Sequence, residues 1–252
     1  MSDSHAPITA ADIRANIEKV YERIHAAATQ AGRTPTEIAL ELAVKTQTLD
    51  TCVEAAKALA NLGHPILLGH NKVQEGVAAA EPVLSEVPST RMHMIGHVQT
   101  NKINQTLRSC HVIETVDSSR FADRLNQRVR SDDVLRPDGI CDVFIQVNSS
   151  GEQTKFGCSP AEAYDLACHV AALPNLRLRG FMTIGAHTDN ETAVHRSFSK
   201  VRALRDRCIS SGEKGLSEAV ELSMGMTGDM EIAIAEGSTI VRVGTAVFGP
   251  RR

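Results

Sequence analysis

The chain has 252 residues, 42% of them apolar, and a formal charge of −3. That supplies one sizeable core in a length that α/β barrels reach as a single domain. No block of like charge stands out, which argues against a nucleic-acid or anionic-membrane partner. No apolar run nears the length that spans a bilayer, and residues 1–9 carry no leader pattern. The expectation is a soluble, cytoplasmic protein. Cys52, Cys110, Cys141, Cys158, Cys168 and Cys208 form no C-x-x-C pair, and several lie in apolar runs, as reduced core cysteines do.

The first element reads as a helix. Ile13, Ile17, Val20, Ile24 and Ala28 recur at three- to four-residue spacing, Thr9 with Asp12 can cap the start, and Gly32 ends it. Residues 38–44 are short and apolar, like a buried parallel strand, and stop at Lys45. Further strands are expected at 65–69, 91–95, 112–116, 142–148, 179–184, 220–223 and 239–243. Helices are expected between them at 49–62, 72–85, 101–108, 118–129, 160–172, 192–210 and 229–236. Residues 131–139 read as an exposed loop and 212–215 as another. Several strands are apolar on both faces, so helices should cover a parallel sheet. Eight such units point to one (β/α)8 TIM-type barrel over residues 1–252, with an extra N-terminal helix. An open doubly wound sheet would need a glycine fingerprint after the first strand. Lys45-Thr46-Gln47-Thr48 contains none.

In such barrels, function gathers at the C-terminal strand ends. Strand one ends at Lys45, which shares a face with Glu41 and Ala43. A lysine among apolar walls has a depressed pKa, and its neutral amine can attack an aldehyde to form an imine. Alone, such a residue is more commonly a solvated lysine at a strand end. After strands seven and eight, Ser223 and Thr245 offer hydroxyls, and Gly225 and Gly244 admit close backbone approach. That pattern suits a phosphate cup, and it also suits ordinary turns. His93 and His97 suggest a metal pair, but no carboxylate, Cys or further His cluster is seen to complete it. No metal is expected. Neither a Walker-type loop nor a G-x-S-x-G elbow is present.

Taken in order, the motifs resemble those of the pyridoxal phosphate homeostasis proteins, whose barrel is like the N-terminal domain of alanine racemase (a fold type III barrel). They are Leu42-Ala-Val-Lys-Thr46, Gly69-x-Asn71-x-Val-Gln-Glu75 and His93-x-Ile-Gly-His-x-Gln-x-Asn-Lys102. Next come Ile145-Gln-Val-Asn148, Ser150-Gly-Glu152, Lys155-x-Gly157 and Leu176-Arg-Leu-Arg-Gly-x-Met-Thr-Ile184. The most specific are Leu222-Ser-Met-Gly-Met226, Asp229-Met-Glu231 and Glu236-Gly-Ser-Thr-x-Val-Arg-x-Gly-Thr-Ala-x-Phe-Gly249. The resemblance implies pyridoxal 5'-phosphate held as a Schiff base on Lys45. It implies a phosphate site at Ser223, Gly244 and Thr245, and Arg242 facing the pyridine nitrogen. Asn71, His93, Asn148 and Met224 would line the ring or its surroundings, and Lys155 corresponds to a second lysine implicated in ligand handling. Val44 stands where the family usually has Ser, His70 and Lys72 depart from the usual Gly-Glu-Asn-Tyr, and Met92 and Met94 replace aromatic residues.

The resemblance implies a carrier or regulator for vitamin B6 homeostasis, with no catalytic residues. Its partners would be pyridoxal phosphate, other B6 vitamers and apo-enzymes that use the cofactor. Alanine racemases add a β-rich domain that supplies a catalytic tyrosine across a dimer. Here the only tyrosines, Tyr21 and Tyr164, fall in expected helices, and no such domain follows strand eight. A monomer is therefore expected. A weak racemase using Lys45 as sole base is the alternative, and a phosphosugar-binding barrel enzyme is a third reading.

Overall fold

The computed structural model describes residues 8–129, 134–152 and 155–250. Helix α1 (Ala10–Gln30) precedes eight parallel strands. These are β1 (Ala39–Ala43), β2 (Leu67–His70), β3 (Arg91–Met94), β4 (Val112–Val116), β5 (Cys141–Gln146), β6 (Leu176–Met182), β7 (Glu221–Ser223) and β8 (Ile240–Val243). Each pairs with the next, and β8 pairs back on β1 with Glu41 opposite Arg242. The expected barrel is therefore the observed fold, and the open sheet is excluded by its closure.

Helices cover the outside: α2 (Leu49–Asn61), α3 (Val73–Glu86), α4 (Ile103–Ser109), α5 (Ser119–Asn126), α6 (Ala163–Ala171), α7 (Glu191–Ser210), α8 (Met230–Ala235) and α9 (Thr245–Phe248). The last is a single turn that the sequence pattern does not announce. It is too short to cover the seam between β8 and β1. Helix α1 fills that place, packing against α2, α8 and α9. Its stripe of Ile13, Ile17, Val20, Ile24 and Ala28 is buried as expected. Thr9 and Asp12 form a reciprocal capping box, and Asn16 donates to the Val247 carbonyl at 3.0 Å.

The main core lies between barrel and helices, with Phe181 and Phe198 fully buried in it. A smaller apolar cluster fills the barrel interior: Leu67, Val112, Phe144, Met182 and Ile240, with Ala39 against it. Strand β6 begins at Leu176, earlier than expected, because its arginines are consumed by cross-strand pairing. Arg177 bonds Asp142 at 2.6 Å and Arg179 bonds Glu221 at 2.7 Å. Burial pushes the Asp142 carboxyl up, but the bonds from Arg177 and Arg91 outweigh it and hold the carboxyl below the usual range.

The loop expected over 131–139 needs correction. Residues 131–133 lie outside the described ones, as do 1–7. Arg136, however, is buried and donates to the carbonyls of Leu107 and Cys110, so this part of the loop is clamped at the end of α4. All the cysteines except Cys168 are buried. Among the described residues, no helix is long and apolar enough to cross a membrane.

Strand β3 leaves the barrel through Ile95 and Gly96, where the chain passes hard against the loop after β2. A Cβ on Gly96 would stand 1.8 Å from the Asn71 carbonyl oxygen. Backbone there cannot swing aside as a side chain does. Gly96→Ala is expected to cost about 1–3 kcal/mol, the range for overpacking. A urea titration with an unchanged m-value and a lower midpoint checks this; an unshifted midpoint refutes it.

Candidate functional site

Strand β1 sends alternate side chains to opposite sides. Leu40, Leu42 and Val44 are buried in the main core against the helices. Glu41, Ala43 and Lys45 therefore share the inner face with Ala39. Directly after Lys45, Thr46 has φ 65°. That left-handed conformation is costly for a β-branched residue. It turns the chain off the strand axis at the point where the lysine leaves the barrel.

At this C-terminal mouth lies a cavity of about 1010 Å³. Lys45, Asn71, Arg242, Gly244 and Thr245 all line it. The volume is at the upper end for a cofactor-sized ligand. Arg242 is only 4% exposed. Its guanidinium donates to Ser223 Oγ at 2.7 Å and to the Thr183 carbonyl at 2.8 Å. Two fixed bonds on a planar fork leave it little freedom. Above it, the Thr245 hydroxyl donates to Thr227 Oγ1 at 3.1 Å. Asp229 also lines the cavity, accepts from the Met226 N–H at 2.6 Å, and has its carboxyl pushed up by burial.

Four of the expected site residues are placed elsewhere. Ser223 is fully buried below the cavity, donating to Glu114 at 2.5 Å while accepting from Arg242. It therefore faces the barrel interior and supports the arginine. Met224, its neighbour on the chain, points the other way into the main core. His93 lies in the barrel interior, its Nδ1 2.6 Å from Glu114 Oε1. Asn148 spends its amide on the carbonyls of Glu152 and Lys155, ordering the loop after β5. Lys155 is engaged there too, with Glu152 at 2.7 Å and the Gly185 carbonyl at 2.9 Å.

His93 and His97 do not act as a pair. His97 stacks on Phe156, with ring centroids 4.6 Å apart. The expectation that no carboxylate cluster accompanies His93 is corrected. Glu41 from β1 and Glu114 from β4 bring carboxyl oxygens to within 4.8 Å of the His93 nitrogen and of each other. All three side chains are buried. Their signal in the sequence was an acidic residue inside an apolar strand, Leu40-Glu41-Leu42 and Ile113-Glu114-Thr115.

Residues 8–252 match the family model described as alanine racemase, N-terminal domain. The chain is 38% identical over 242 residues to the pyridoxal phosphate homeostasis protein of Vibrio alginolyticus, covering 95% of this chain and 97% of that one. An unknown protein from Bifidobacterium adolescentis has a crystal structure similar to this fold, with a TM-score of 0.87, 39% identity, and coverage of 96% of this chain and 98% of that one. PipY of Synechococcus elongatus, whose structure was solved with PLP bound, shares the fold at a TM-score of 0.75 and 24% identity, over 94% of this chain and 100% of that one. A match that spans the barrel from α1 to the last strand, with relatives of nearly the same length, leads to one assignment: the chain belongs to the pyridoxal phosphate homeostasis protein family, on the alanine racemase N-terminal-domain barrel.

Proposed function

We propose that this chain binds pyridoxal 5'-phosphate as a Schiff base on Lys45, for intracellular B6 homeostasis, without catalytic turnover. The observation that carries the reading is one cavity lined by both an amine, Lys45, and a pinned guanidinium, Arg242. The family's name supports the same ligand. When bound, pyridoxal phosphate supplies an aldehyde to a lysine amine and a pyridine ring that draws electrons best when its nitrogen is protonated.

Arg242 stays charged and can only donate. With the cofactor bound, it would donate to the ring nitrogen and keep a proton off it. Gly244 and Thr245 line the same cavity and are the residues offered to the phosphate; Asn71 stands at the wall beside Lys45. Ser223 serves this site indirectly, by holding Arg242.

The geometry favours holding over turnover. A two-base racemisation needs a second proton carrier opposite the lysine. Tyr21 is buried in α1, stacked on His64, and Tyr164 lies under Arg207; neither lines the cavity. The observation on the other side is that His187, an exposed imidazole, and Asp229 also line the cavity and offer a weak racemase a second proton carrier. A protein that holds a reactive aldehyde reversibly can return it to apo-enzymes or amines.

Purified protein incubated with pyridoxal phosphate is expected to gain an absorbance band, and borohydride should abolish that band by reducing the imine to a stable secondary amine. Mass spectrometry should then find the adduct on Lys45, and Lys45→Ala should lose it. An adduct on another lysine, or none, refutes the reading. With D- or L-alanine, the loaded protein is expected to show racemisation no faster than Lys45→Ala. Turnover that this substitution abolishes would establish the enzyme instead.

A further inference from the structure

The barrel interior carries more charge than a dry layer tolerates. Glu41 is fully buried, and neither of its carboxyl oxygens has a donor among the described residues. Glu114, also fully buried, is partnered at both oxygens: Oε1 faces His93 Nδ1 at 2.6 Å and Oε2 accepts from Ser223 at 2.5 Å. With both glutamates ionised, Glu41 would be a fully buried anion with no hydrogen-bond donor among the described residues, whatever charge His93 carries beside Arg242. Uncompensated buried charge of that kind is among the costliest arrangements in a protein.

We propose that Glu41 and Glu114 hold one proton between them, carried by Glu41, and that the charge left on Glu114 positions Arg242 through Ser223. A proton on Glu41 gives it a donor aimed at Glu114, and it removes the one buried anion of this layer that has no hydrogen bond among the described residues. The directions of titration agree. Burial and the charge of Glu114 push the Glu41 carboxyl well up. Burial also pushes Glu114 up, but the bond and charge of His93, with Arg242 and Ser223, outweigh it and hold that group low.

The place is built for this carboxyl. A Cβ on Gly69 of β2 would fall 2.1 Å from Glu41 Oε1, so the missing side chain is what admits it. Gln146, on the far side on β5, is uncharged, and Asp142 on that strand is spent on Arg91 and Arg177. A divalent cation would meet the same three ligands. It would also face the fixed charge of Arg242, which acts on both carboxylates. One proton meets the need without that repulsion.

The infrared arm of the test uses the protein without added cofactor. At neutral pH, the wild type is expected to show the C=O stretch of a buried carboxylic acid, and Glu41→Gln to lose it. Glu114→Gln should keep the band, because burial still holds the proton on Glu41, but shift its frequency as the acceptor changes from a carboxylate to an amide, so failure of one variant to fold leaves the other. Wild type without an acid band, or purified protein carrying one equivalent of metal by elemental analysis, overturns the proposal.

Stability gives a second sign. A carboxyl raised in the fold loses stability as pH climbs above the unfolded value of about 4.3. From there toward neutral pH, Glu41→Gln should remove part of that decline; an identical slope speaks against a proton on Glu41. The positioning arm rests on the cofactor reading above. In protein loaded with pyridoxal phosphate, E41Q/E114Q should lower the midpoint of the absorbance titration by about one pH unit or more, the size expected for loss of a neighbouring charge. E41Q alone, which keeps the Glu114 charge, should move it less. Equal shifts, or none in the double variant, overturn the positioning role. Absence of any chromophore in wild type would sink the cofactor reading and leave the infrared result standing.

Discussion

Closure of β8 onto β1 is the constraint on which everything else rests. It sets Arg242 opposite Glu41 and makes the barrel's inside a sealed layer. Every polar group placed there has to find its partner across the barrel. The result is a connected line from the cavity inward: Arg242 to Ser223, Ser223 to Glu114, Glu114 to His93. Below it, the apolar cluster around Phe144 fills the interior. Above it, the same arginine becomes a wall of the cavity.

That line explains why the site can be both open and rigid. The cavity is large, yet Arg242 is fixed by the two hydrogen bonds it donates to groups that are themselves buried. The strained Thr46 sits beside Lys45, where a sharp exit from the strand separates the lysine from the helix that follows. Outside the barrel, α1 takes the position that the one-turn α9 cannot, so closure is protected on its helical side as well.

Much of this was legible in the chain. Alternation of short apolar strands with helical stretches told the fold, because both periods are local. The stripe of α1 and its Thr9–Asp12 cap were readable for the same reason. So was Lys45, since a strand's two-residue period fixes which face a terminal residue shares. Where reading went astray, the cause was a distant partner. Arg177 fell outside the strand expected at 179–184, because its partner Asp142 lies across the sheet. Arg136 looked exposed until the carbonyls of Leu107 and Cys110 were found beneath it.

The sequence by itself determined the order of the elements, the lysine at the end of the first strand, and the motifs that mark the family. Tertiary structure alone decided which polar side chains meet. Glu41 and Glu114 come from different strands and share one buried space only because the barrel closes with β1 and β4 facing one interior. It also decided that Ser223 supports Arg242 while Met224, one residue on, belongs to the core. The physical reason is that periodicity assigns a face and a height on one strand, whereas a contact needs the relative height of two strands, which only the closed register supplies.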